Sequence, residues 1–264
     1  MKIAILGARG FVGRSLAGYL LHNNYVVPVT RDTVDLLDSG QVYDFCRENK
    51  FDVIVNAAAT MTDPEGIHDT RNNLGMFMNF YNRHDLFGKF INLGSGAEFD
   101  RTMDISEVPE NLIFRRMPKD SYGFGQNLKS RLCATRQNFY NLRLFNCFGK
   151  GELPTRIFPR ILSGEKIEIS NDRYFDYFGI DDLCKVVDSM IRTTPKVKDI
   201  NCVYKDKFKI SQVVDKFYYL NNLKPNFQIV STSNNNYTGD GSALASLNLG
   251  LDGLEESLRK YVSN

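Results

Sequence analysis

At 264 residues, 42% hydrophobic and 24% charged, the chain is long enough to bury one full core with a small appended lobe. Its net charge of +2 is small and its acids and bases are interspersed, so no nucleic-acid partner is expected. No apolar run approaches the ~18 residues of a membrane span, and three histidines in unrelated settings with five cysteines lacking metal spacing suggest neither a metal centre nor a His-based triad.

The chain opens on an apolar strand, Lys2–Leu6, with no basic stretch ahead of it. No cleavable leader is expected, and cysteines placed inside helices and strands point to a reducing cytoplasm. Next comes Gly7-Ala8-Arg9-Gly10-Phe11-Val12-Gly13, leading into a helix predicted over Phe11–Asn23. Gly7 permits a tight turn, Gly10 lets a pyrophosphate approach the backbone, and Gly13 lets the helix pack on the sheet. The helix N-terminus then faces the phosphate.

The second strand, Tyr25–Thr30, carries the cofactor choice. A carboxylate at its end would hold a ribose 2′-hydroxyl and repel a 2′-phosphate. Here the strand runs Val29-Thr30-Arg31, and Arg9 lies in the glycine loop. Two guanidiniums around a dianion favour NADP(H) over NAD(H).

Helices follow over Ser39–Lys50, about Gly66–Tyr81 and Ser121–Asn138, alternating with strands Asp52–Asn56, Lys89–Leu93 and Asn141–Phe145. Such alternation specifies an α/β fold, a Rossmann doubly wound parallel sheet with right-handed crossovers. After Gly149 the regularity fades. Helices over Arg156–Ser163, Asp181–Arg192, Ile210–Leu220 and Leu251–Val262 flank strands near Lys166–Ile169 and Tyr174–Phe178, and Ser231–Asn236 is a polar loop. The expected division is a dinucleotide-binding domain over 1–150 and a small substrate-binding lobe over 151–264, with interleaving of the two allowed.

These residues resemble the NAD-dependent epimerase/dehydratase family, the extended short-chain dehydrogenases/reductases that modify nucleotide sugars. Gly7 to Gly13 looks like that family's GxxGxxG, Asp35-Leu36 its adenine-contacting pair, and Asn56-Ala57-Ala58-Ala59 its third-strand cofactor segment. Asn73 sits where the family has a helix asparagine. Leu93-Gly94-Ser95-Gly96-Ala97 resembles the catalytic serine strand and Ser121-Tyr122-Gly123-Phe124-Gly125 the catalytic tyrosine helix. Leu142 to Gly149, with Phe145 and Asn146, resembles the segment that meets nicotinamide and substrate, and Phe175 to Leu183 the late "DYxxVDDL" segment. With Arg9, Arg31 and Leu36-Leu37-Asp38, the pattern is nearest the GDP-fucose synthase-like reductases.

The resemblance implies that Tyr122 gives a proton to a carbonyl oxygen positioned by Ser95 while hydride arrives at carbon. It also exposes departures. The family's lysine four residues after the tyrosine is Gln126 here, and Lys129, on roughly the same face, is the available substitute. The Asp and Glu that serve 4,6-dehydratases are Gly96 and Ala97. The cysteine and histidine of epimerising relatives fall at Ala97 and Arg156. Carbonyl reduction of a nucleotide-linked 4-keto-(6-deoxy) sugar is the chemistry that remains, with Asn146 and Arg173 as substrate-binding candidates. A non-catalytic NADP(H)-binding regulator or partner subunit is the alternative that Gln126 raises. Relatives often dimerise through the helices of the third-strand and tyrosine segments, and the apolar Met76, Phe77 and Phe80 permit a homodimer here.

Overall fold

Apolar alternation places successive strand residues on opposite faces, and both faces here must be covered. In the computed structural model, which describes residues 1–60 and 66–263, six strands form one parallel sheet. The strands are Asp199–Cys202, Phe139–Leu144, Lys89–Ser95, Val53–Asn56, Lys2–Leu6 and Tyr25–Val29, in that spatial order. Ile3, Ile5, Val55, Ile91 and Leu142 pack on one side against helices Phe11–Leu20 and Ile180–Arg192. Ala4, Leu6, Ile54 and Phe90 pack on the other with Phe77, Phe80 and Phe139. Nothing in the described residues forms a helix long and apolar enough to cross a membrane.

The predicted strands and helices of the first 150 residues are present, with helices ending earlier than expected, at Leu20 and Ala134. The sixth strand, Asp199–Cys202, was not foreseen. It joins the sheet edge beside Phe139–Leu144, and helix Ile180–Arg192 returns to the first core. The chain therefore interleaves: the second half contributes a strand and a helix to the sheet unit. Its remaining helices, Ile157–Leu162, Ile210–Leu220 and Gly253–Ser263, enclose a separate core around Phe158 and Phe217.

The expected apolar dimer face needs correction. Phe77 and Phe80 are 1% exposed and belong to the core, and Met76 packs against that same cluster while lining the cofactor groove. Their apolar character is accounted for inside one chain.

Candidate active site

The first turn has the geometry that a phosphate cradle needs. Gly7 adopts φ +75°, and a Cβ there would lie 2.7 Å from the Ala57 carbonyl oxygen. A Cβ on Gly13 would lie 2.3 Å from the Gly7 carbonyl oxygen, so the helix presses on the turn as closely as backbone allows. Gly10 is exposed and precedes a helix whose start is capped by no side chain and carries no acid in its first turn. Its free N–H groups therefore face outward. Phe11 and Val12 turn their side chains into the first core, leaving their backbone to the groove.

That groove, about 800 Å³, runs past Arg9, Arg31, Asp35 and Leu36 to the Ala57-Ala58-Ala59 segment. Asn56 holds the segment by accepting from the Ala58 N–H at 3.2 Å. Asp35 lies on the wall, but its carboxylate also accepts from the Leu37 N–H at 2.9 Å. Arg31 is exposed at the rim. Arg9 is exposed too, but pairs with Asp32. Asn73 acts at one remove: its side chain accepts from the Thr60 N–H at 2.7 Å and donates to the Thr60 carbonyl at 3.0 Å. Thr60 lies on the walls of both the groove and a second cleft, so it marks where the two meet.

The second cleft, about 540 Å³, contains the catalytic candidates. Ser95 ends its strand and caps a short 3-10 turn. The Ser95 N–H donates to Glu98 Oε1 at 2.9 Å and the Ala97 N–H donates to Ser95 Oγ at 3.2 Å. Tyr122 is the second residue of helix Ser121–Ala134, whose start is capped by Asp120 accepting from the Gly123 N–H at 2.8 Å. Gly123 lets the helix approach, since a Cβ there would lie 2.6 Å from the Ala97 carbonyl. The result places Tyr122 and Ser95 on the walls of one cleft. Burial pushes the Tyr122 hydroxyl above its ordinary pKa, Ser95 pulls it back, Glu98 pushes it up and Arg101 pulls it down.

Gln126 is buried, and its Oε1 has no hydrogen-bond partner among the described residues. Lys129 is 2% exposed and does not line the cleft; Glu98 and Cys133 are its charged and titratable neighbours. Burial lowers its pKa to about 8, against the pull of Glu98. A depressed lysine contributes stability above its unfolded value near 10.5, and that contribution is lost as pH falls through about 8. Lys129→Met is therefore expected to stabilise the fold by about 2–3 kcal/mol at pH 7 and by progressively less between pH 8 and 10.5. Urea unfolding of both proteins across that range measures it.

Beneath the serine lies a buried ion pair. Arg143 and Glu98, both side chains 0% exposed, meet at 2.6 Å, and Arg143 also reaches Asp199 at 2.8 Å and Asn201 at 2.8 Å. Asn56, Asn92 and Asn141 form a hydrogen-bonded ladder across three strands that ends on the same Glu98.

The far wall is cationic and aromatic. Arg101 is bound to Asp120 at 2.8 Å. Arg173 lies 5.6 Å over the Phe175 ring, donates to the Asn235 carbonyl, and has a buried Nε without a partner among the described residues. Arg156 lines the cleft and donates to the Asn146 side chain, so Asn146 orients an arginine and is not itself on the wall. Phe145 lies on this cleft, packed edge-on to Tyr237 at 5.0 Å. Tyr237 and Arg101 on the cleft and Asp32 beside Arg9 belong to no local sequence motif.

A family model described as the NAD dependent epimerase/dehydratase family matches residues 3–202. No curated protein sequence matches the chain. Among solved structures, dTDP-4-dehydrorhamnose reductase from Bacillus anthracis, in complex with NADP, is similar at 18% identity and TM-score 0.81, over 98% of this chain and 96% of that one. GDP-mannoheptose C4 reductase from Campylobacter jejuni, with NADP bound, is similar at 20% identity and TM-score 0.81 over the same shares. A dTDP-glucose 4,6-dehydratase from Bacillus anthracis, in complex with NAD, gives 15% and 0.79 over 99% and 95%. At these identities the likeness is one of fold. With a family match across most of the chain and a Rossmann sheet carrying the glycine turn, this protein belongs to the NAD-dependent epimerase/dehydratase family.

Proposed function

We propose that the protein is an NADPH-dependent reductase of a nucleotide-linked 4-keto-6-deoxy sugar. The observation that carries this reading is that Ser95 and Tyr122 line one cleft, which shares Thr60 with the dinucleotide groove. Two relatives of the same fold are NADP-bound sugar-nucleotide reductases by name, which supports the class.

The residues present fit the cofactor. The glycine turn offers an open backbone face, Leu36 and Ala57 to Ala59 line an apolar stretch for the adenosine, and Arg31 stands at the rim. When bound, NADPH supplies the hydride that the carbonyl carbon accepts. Tyr122 gives its proton to the carbonyl oxygen as the C=O π pair moves there, and solvent restores the tyrosine. Ser95 fixes that oxygen by a hydrogen bond. Gln126 brings no charge to the tyrosine, but Arg101 offsets part of the rise that burial imposes on its pKa. Gly96 and Ala97 carry no acid or base, so reduction is favoured over dehydration. The arginines of the far wall suit a diphosphate.

Arg31 and Arg9 are the groups proposed to hold the 2′-phosphate, Arg9 by sharing or leaving Asp32. Arg31→Ala is expected to weaken NADPH binding by about 10–100-fold and leave NADH binding unchanged, an effect that shrinks with added salt. Fluorescence titration of both nucleotides checks it. The reading itself is tested by following absorbance of NADPH with a panel of nucleoside-diphosphate 4-keto-6-deoxysugars. Consumption supports the reductase. Tight NADPH binding with no consumption on the panel favours the second reading, a cofactor-binding regulator, for which Gln126 is the specific observation.

A further inference from the structure

From Lys150 to Arg156 the chain runs over the surface, and the one buried residue in that stretch is an acid, Glu152. Acids are among the residues least often found inside unless paired, so this burial asks for a reason. A turn puts it there. Gly151 adopts φ +88°, and the Glu152 N–H donates to the Gly149 carbonyl at 3.2 Å. The side chain is left 3% exposed.

The two carboxylate oxygens face different parts of the molecule. Oε1 accepts from the Tyr261 hydroxyl at 2.9 Å, and Tyr261 belongs to the last helix, Gly253–Ser263. That ring is itself fixed, 5.5 Å from Phe158 and edge-on to Phe217 at 5.4 Å. Oε2 lies 3.6 Å from Arg156 Nε. Arg156 immediately precedes helix Ile157–Leu162, its side chain is half-exposed, and it lines the cleft that holds Ser95 and Tyr122.

Counting donors says what the acid does. A guanidinium has five N–H groups. The contact with Glu152 is too long for a hydrogen bond, so it orients the charge without saturating it. Asn146 accepts one N–H, which leaves most of the fork for a ligand in the cleft. An arginine on an exposed loop must otherwise freeze its rotamers when an anion binds. We propose that Glu152 is a positioning residue for substrate binding: braced by Tyr261, it fixes Arg156 on the cleft wall for the phosphates of the sugar nucleotide. This rests on the reductase reading above.

Burial raises the Glu152 carboxyl to about 7, against the pull of the Tyr261 hydrogen bond and the Arg156 charge. Tyr177 and Cys147 also face it. Burial pushes both of them, and Tyr261, upward and away from neutrality. A guanidinium keeps its proton throughout. Glu152 is therefore the member of this cluster that changes charge near neutral pH. Its hold on Arg156 is present above about pH 7 and is lost as pH falls through that value.

The test is NADPH consumption by the full chain from about pH 6 to about 8.5, with a sugar of the panel as substrate. Both phosphates of a sugar nucleotide are esterified, so the substrate itself does not titrate there. In wild type, KM for the sugar nucleotide should rise on the acid side of about pH 7 while kcat shows no such step. Glu152→Gln should have a KM about three- to tenfold higher above that pH, no step, and an unchanged kcat. Tyr261→Phe removes a bond that favours the carboxylate, so the step should move to higher pH. NADPH affinity and thermal melting check that each fold is intact. A carboxylate that merely competed with the phosphates for Arg156 would give Glu152→Gln a KM below wild type. That result, an unchanged KM, or a step that survives the substitution would overturn the role of Glu152 and leave the reductase standing. A wild type that consumes no NADPH with any sugar of the panel would overturn the reductase and this role together.

Discussion

Tyr122→Phe is expected to lower kcat for NADPH consumption by about 10²–10⁴-fold, with NADPH affinity unchanged. The loss comes from removing the hydroxyl proposed to protonate the carbonyl oxygen. The ring remains, so the helix start and its Asp120 cap persist. Burial keeps this hydroxyl protonated beyond the ordinary tyrosine range. Reduction needs the protonated form, so the rate should stay flat through neutral pH and fall only on the strongly alkaline side. Stopped-flow absorbance of wild type and variant, from pH 6 to about 10, separates this from a loss of binding, which would appear as a raised KM.

Arg143→Met is expected to destabilise the protein by about 3–5 kcal/mol, or about 6–20 °C in Tm. Burial works against the guanidinium charge, but Glu98 and Asp199 hold it protonated. Without it, Glu98 is left in the interior with burial raising its pKa and only a lysine of depressed pKa nearby. The damage should extend to activity, because Glu98 also accepts from the Ser95 N–H. Replacing both partners, as Arg143→Met with Glu98→Leu, should recover much of the stability and little of the turnover. Calorimetry beside kinetics measures both. Equal stability of Arg143→Met and wild type would show that the pair does not carry the loop.

What the sequence made legible follows from how local each signal is. The glycine turn could be read because its chemistry is contained in seven residues, and the structure shows Gly7 and Gly13 constrained as that chemistry requires. The strands Lys2–Leu6 and Val53–Asn56 could be read because both faces are apolar. Asp199–Cys202 could not. Its Asp199 and Asn201 face Arg143, so the strand is polar on the side that a core strand would keep apolar. Tyr237 follows the polar run Ser231–Asn236 and forms a three-residue strand paired with a segment more than a hundred residues earlier. No local pattern carries that pairing. Arg101 likewise reaches the site only because Asp120 caps the tyrosine helix. Phe77 and Phe80 looked available for a partner because helical periodicity alone does not say which apolar face the sheet will cover.

The most direct measurement uses NADPH carrying deuterium at the transferable position of the nicotinamide, mixed with a nucleoside-diphosphate 4-keto-6-deoxysugar and this protein. Mass spectrometry of the sugar product should find the deuterium on the former carbonyl carbon with wild type, and none with Tyr122→Phe on the same timescale. Deuterium that stays on the nicotinamide with every sugar tried, while NADPH binds, would contradict the reductase account.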